Sequence, residues 1–136
     1  MARIMVVDDD PLCLAIMSRS LEKARHEIVI CSDLEKAIDI FAQSECEAVV
    51  CALTLPDQAT MSFIRAARHH TPDAVIVAVV AGKAHLPQLN PDIVHMLQAI
   101  GADEVVKKPF DVADFVGTVE RTIAERKQGI AASAAG

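Results

Sequence analysis

The stretch IMVVDDDP, Ile4 to Pro11, decides how the rest of the chain is read. Its first half, Ile4 to Val7, is a short apolar run, the mark of a buried strand. Its second half ends in Asp10-Pro11, an N-cap residue followed by proline at the first helical position. A strand therefore runs into a helix, with three carboxylates, Asp8, Asp9 and Asp10, at the junction. Adjacent carboxylates repel one another. Keeping them together points to a nearby cation, either a divalent metal or a lysine.

Downstream, the same alternation repeats until there are five strand-helix units. Leu14, Met17, Leu21 and Ala24 stand at helical spacing after Pro11. Ile28 to Cys31 reads as a second strand, and Asp33 caps a helix carrying Leu34, Ala37, Ile38, Phe41 and Ala42 on one face. Ala48 to Leu53 is a third strand, followed by a helix with Met61, Ile64 and Ala67 that ends near His70. Ala74 to Ala81 is the most continuous apolar run and is expected to be a central strand buried on both faces. A fourth helix with Ile93, Val94, Leu97 and Ile100 stops at Gly101. Glu104 to Val106 is a short fifth strand, and Val112, Phe115, Val116, Val119 and Ile123 mark the last helix. This pattern predicts an α/β fold: a flavodoxin-like, doubly wound, five-stranded parallel sheet in the order 2-1-3-4-5, with five helices. The domain is expected over residues 1–127, with 128–136 as a flexible C-terminal tail and no effector domain after it.

Composition narrows the function. The chain has 136 residues, 52% apolar, which suits one domain with one core. No apolar run reaches the roughly 18 residues of a membrane span, and the start lacks the features of a secretory signal, so a cytoplasmic location is expected. A net charge of -6 and an aromatic content of 3% argue against nucleic-acid binding. Cys13, Cys31, Cys46 and Cys51 form no metal-ligand spacing and are read as small buried hydrophobes. His69 and His70 are adjacent on a helix and so do not share a face, which excludes a paired metal site.

In sheets of this type, ligands bind beyond the carboxyl ends of the strands. The first strand ends in Asp8-Asp9, and the fifth leads into Lys107-Lys108-Pro109-Phe110. Here IMVVDDDP at 4–11 and GADEVVKKPF at 101–110 resemble the receiver domains of bacterial response regulators, with the KPF at 108–110 the most telling part. The likeness spans about Arg3 to Arg126. In that family an acidic pair and a strand-3 aspartate hold Mg²⁺. The aspartate takes up a phosphoryl group, a lysine pairs with it, a Ser or Thr at the end of strand 4 hydrogen-bonds it, and a strand-5 aromatic reports the change.

Carried over by position, the resemblance implies a partial site. Asp8 and Asp9 match the acidic pair, with Asp9 the direct metal ligand, and Lys108 matches the lysine. Aligning on Pro56 puts Ala52 at the phosphoacceptor, while Val80 stands at the Ser/Thr position, Val105 at the aromatic switch and Thr60 at a usual glycine. Three concerted departures argue for a natural change over a single engineered one at Ala52. The implied function is an atypical stand-alone receiver: not an enzyme, requiring no cofactor, binding Mg²⁺ weakly at most through Asp8 and Asp9, and acting by phosphorylation-independent protein contact. Lys108 is expected to brace Asp8 or Asp9 as a salt bridge, and Asp10 to serve as a helix cap.

Two alternatives stand beside this. Asp8, Asp9 or Asp57 is a substitute phosphoacceptor with Mg²⁺, or the vacated pocket is a small-ligand sensor. Expected partners are a histidine kinase, another response regulator or an output protein, met through helix 4, strand 5 and helix 5, with a homodimer as a further possibility. The segment between Val80 and Gly101 is several residues longer than such domains usually have. Lys83, His85 and Asn90 mark it as a partner-binding loop or a tolerated surface insertion.

Overall fold

Alternation along each strand divides the apolar residues between two faces of one sheet. In the computed structural model, which describes residues 1–53, 58–81 and 91–135, the strands are β1 (Arg3–Val7), β2 (Glu27–Cys31), β3 (Ala48–Leu53), β4 (Val75–Ala81) and β5 (Glu104–Lys108). They are all parallel and lie in the order β2-β1-β3-β4-β5, the topology expected from the sequence. The helices are α1 (Pro11–Lys23), α2 (Leu34–Ser44), α3 (Gln58–His70), α4 (Pro91–Ile100) and α5 (Val112–Ala135).

Met5, Val49, Ile76 and Ala78 pack with Phe41, Ile64 and Leu97 of α2, α3 and α4. Ile4, Val6, Val50 and Val77 pack with Leu14 and Met17 of α1 and Phe115 and Val119 of α5. Residues 75–80 of β4 are buried whichever way they point, as a central strand requires. No helix among the described residues is long and apolar enough to cross a membrane.

Three differences from the sequence reading have physical causes. β5 continues through Lys107 and Lys108, because their backbones pair with Val80 and Ala81 of β4 and the residues are only partly buried at the sheet edge. α5 continues past Lys127 to Ala135, through the segment expected to be a loose tail, because its alanines are the strongest helix formers. Cys31, Cys46 and Cys51 are buried as expected, but Cys13 is partly exposed, since it lies on the flank of α1 beside the Leu14–Met17–Leu21 stripe. The loop residues Lys83, His85 and Asn90, and Asp57, lie outside the described residues.

The amino end of the sheet is held by an ion network around Asp103. Its Oδ2 accepts from the Ile76 amide at 2.8 Å and from Arg68 Nη2 at 2.7 Å, and its Oδ1 accepts from Arg126 Nη1 at 2.9 Å. Arg68 also donates to the carbonyls of Pro72, Ala74 and Gly101. Gly101 sits at φ +137, and an added Cβ would stand 3.0 Å from the Arg68 Cβ, so glycine both ends α4 and admits the arginine. One carboxylate thus joins α3, β4, the turn before β5, and α5. Asp103→Ala takes the counter-charge from two arginines and the side-chain acceptor from one strand amide. It is expected to cost about 2–3 kcal/mol, read as a lower urea midpoint with an unchanged slope.

Candidate functional site

Strand register sets the site before any side chain is considered. Val7 pairs with Cys51, so the next residues, Asp8 and Ala52, come level at the carboxyl ends of adjacent strands. Leu53 pairs with Val80, and Ala81 with Lys108. Asp8, Ala52, Val80 and Lys108 therefore gather at the same end of the sheet, where α/β folds bind ligands. Val105 lies deeper, level with Ala78, and packs into the core beneath α4.

Asp8 is 3% exposed, and both of its oxygens are engaged. Oδ1 accepts from the Asp10 amide at 2.9 Å. Oδ2 accepts from Lys108 Nζ at 2.9 Å. Burial works to lower the Lys108 pKa, but its hydrogen bond and charge pairing with Asp8, aided by the nearby Cys13 thiol, outweigh that and hold it above the ordinary lysine value. Asp9 is exposed and Asp10 caps α1, its Oδ1 accepting from the Leu12 amide at 3.0 Å. A hydrogen bond from Cys13, then the Leu12 amide, holds the Asp10 carboxyl below its usual range.

The sequence-derived residues are thus only partly assembled. Asp8 and Lys108 meet directly. Asp9 points to solvent, and the side chain at position 52 is a partly buried methyl group. Val80 is buried. This donor set does not fit a divalent cation, which needs several convergent oxygens: one Asp8 oxygen is held by an ammonium, the other by an amide, and Ala52 contributes none. Among the described residues no group of three or more His, Cys, Asp and Glu is placed to hold a metal.

Sequence reasoning missed one feature at this end of the sheet. Cys13 and Ile16 of α1 face Pro109, Phe110 and Val112 across a groove that Lys108 also lines. The available signal was Leu12 and Ile16, an i, i+4 apolar pair standing outside the buried stripe of α1.

Comparison with known proteins bears on this geometry. The response regulator receiver domain model matches residues 4–120. The transcriptional regulatory protein PrrA of Mycobacterium bovis is 30% identical over 124 residues, covering 91% of this chain and 51% of that protein. The DNA-binding transcriptional regulator NtrC of Bradyrhizobium sp. is 22% identical over 131 residues, covering 96% of this chain and 26% of that protein. The chain spans about a quarter to a half of the length of these curated relatives. A CheY-like response regulator receiver domain protein from Methanospirillum hungatei has the same fold, with a TM-score of 0.81 at 19% identity, covering 95% of this chain and 98% of that one.

Proposed function

The chain belongs to the response regulator receiver domain family, and from that premise we propose that it transmits by protein contact and not by accepting phosphate. One observation carries this reading. The position level with Asp8 on β3, where the family's acceptor aspartate would stand, is the methyl group of Ala52. A methyl group can neither attack phosphorus nor ligate magnesium.

The neighbouring residues support the same reading. Val80 offers no hydroxyl to a phosphoryl oxygen. Val105 is no aromatic rotor. Lys108, the group that would meet the phosphoryl oxygens, is already paired with Asp8. The retained ion pair ties the end of β5 to the end of β1, so it braces the top of the sheet without any ligand. On this reading the chain is not an enzyme, needs no cofactor, binds Mg²⁺ weakly at most and works in the cytoplasm. Its partners are a kinase, another regulator or an output protein. The helix-strand face of α4, β5 and α5 is one surface open to them, with Met96 exposed on α4.

Incubation with a small acyl phosphate and Mg²⁺, followed by intact mass measurement, tests this reading. The expected result is an unchanged mass. A phosphoryl adduct that disappears on substituting Asp8, Asp9 or Asp57 would replace it with phosphotransfer at a substitute aspartate.

A further inference from the structure

β2 lies at one edge of the sheet, and no strand among the described residues pairs with its outer side. Its backbone groups divide between the two sides. The Glu27 amide donates to the Ala2 carbonyl at 2.9 Å, and the Cys31 carbonyl accepts from the Asp8 amide at 3.2 Å. Alternate residues of a strand bond to the same side, so Glu27, Val29 and Cys31 face β1. The N–H and C=O groups of Ile28 and Ile30 face outward, as a template for a further strand.

Edge strands are usually guarded by lysine, proline or a bulge. The opposite edge, β5, carries Lys107 and Lys108. β2 reads EIVIC, without lysine or proline, and keeps register with β1 residue for residue, so it has no bulge. Its one charged residue, Glu27, is paired with Arg3 at 2.9 Å. Ile30 is 53% exposed, and Ile28 and Val29 are only partly buried.

We propose that β2 pairs antiparallel with the β2 of a second copy of this chain, about a two-fold axis at Val29. In that register Ile28 of each copy stands opposite Ile30 of the other. The pair exchanges both backbone hydrogen bonds, and Val29 meets its own counterpart as a non-hydrogen-bonded pair. Every outward group of Ile28 and Ile30 is then satisfied, and their side chains cover one another on the α1 side of the sheet. Sliding the copies by two residues fits worse. It sets Ile30 against His26, whose amide is already given to the Leu21 carbonyl, or Ile28 against Ser32, beyond the end of the strand.

Charge favours a second copy over a foreign strand. The two-fold carries the amino end of one β2 to the carboxyl end of the other. Lys23 and Arg25 flank the first, Asp33 and Glu35 the second, and all four are exposed. Glu22 and Lys36 each offset one of these charges, which leaves one end net positive and the other net negative. The chain is thus complementary to itself at this edge. Because β2 and β5 lie at opposite edges, the dimer leaves α4, β5 and α5 of both copies open, so one assembly presents the contact face twice. The pairing goes beyond the contact reading and holds whether or not the chain accepts phosphate.

Sedimentation of the full chain from micromolar to near-millimolar concentration tests the pairing. A reversible dimer is expected, since one strand pair is a small interface. Ile30→Lys places a guard on an exposed position. It is expected to leave the melting temperature in dilute solution unchanged and to weaken the dimer about tenfold or more. Arg25→Glu and Glu35→Lys should each weaken it a few-fold, and the double variant should recover it. Hydrogen exchange fixes the edge: Ile28 and Ile30 amides should gain protection as concentration rises, while Val29 and Cys31 are protected throughout. In a Cys13→Ser background, Val29→Cys should form a disulfide-linked dimer under mild oxidation, because the Cα atoms of such a pair stand about 4.5 Å apart. Ile30→Cys alone should not. A monomer at every concentration, a dimer indifferent to Ile30→Lys, or concentration-dependent protection centred on α4 or α5 would overturn the proposal. So would a chain that stays monomeric yet protects Ile28 and Ile30 when mixed with an extended valine-threonine peptide, which would assign the edge to a foreign strand.

Discussion

Lys108→Met is expected to destabilise the chain by about 3–5 kcal/mol, the usual result of stripping one partner from a buried ion pair. Asp8 is 3% exposed and the lysine head is its only cationic partner among the described residues. Methionine preserves the bulk of the alkyl stem and removes only the charge. The carboxylate left behind cannot turn to water. Its second oxygen is held by the Asp10 amide, which also fixes the start of α1. Each kcal/mol lowers the melting temperature by roughly 3–5 °C for a chain of this size, so calorimetry resolves the effect easily.

The double variant D8N/K108M separates a bracing role from a loss of packing. An amide at position 8 can still accept from the Asp10 amide and carries no charge, so most of the lost stability is expected to return. Failure of the double variant to recover would mean that the pair contributes little and that the lysine stem matters instead. The pH dependence adds a second check. Because the folded state holds the lysine above its ordinary pKa, its contribution is fully present below that ordinary value. It is lost as pH rises through the raised one. The stability gap between wild type and K108M should therefore be flat across neutral pH and shrink as pH rises through the raised lysine range.

That pair also shows how much the sequence disclosed. Asp8 and Lys108 lie 100 residues apart, yet the strand order inferred from five alternating segments put both at one end of the sheet, and charge repulsion among Asp8, Asp9 and Asp10 called for a cation. What periodicity did not disclose was which carboxylate takes it. That follows from burial: Asp8 ends inside while Asp9 turns to solvent. The end of β5 was misjudged because a lysine pair reads as loop, although edge strands admit lysines with half-buried stems. Asp103 was invisible for a related reason. Its partners Arg68 and Arg126 come from α3 and α5, and only the packed structure brings three such distant residues together. The groove was hidden in plain view: a count of apolar residues on α1 finds Leu12 and Ile16 but cannot say that Phe110 and Val112 stand opposite.

Ala52→Asp is the variant with the largest expected functional effect, because it restores the one group whose absence defines the site. The new carboxylate would enter level with Asp8 and compete for the Lys108 ammonium. Without metal, like charges at neighbouring strand ends are expected to destabilise the fold. Mg²⁺ should then reverse this, stabilising the variant as its concentration passes the dissociation constant and leaving the wild type almost unmoved. Even outer-shell partners of a metal are worth roughly 10–100-fold in affinity, so a whole charged ligand should raise Mg²⁺ affinity by at least that. With an acyl phosphate present, the carboxylate oxygen can form a bond to phosphorus as the bond to the acyl oxygen breaks, and intact mass should show one phosphoryl group. The readout parts are still missing, since Val80 and Val105 are unchanged. Backbone amide shifts on phosphorylation should therefore stay near position 52 and the ends of β1 and β5, without reaching α4. If the variant takes up phosphate and α4 also shifts, the valines are no barrier to signalling, and the loss of Ala52's counterpart alone separates this chain from a switching receiver. If it takes up none despite bound Mg²⁺, the pocket has departed from phosphotransfer by more than one side chain.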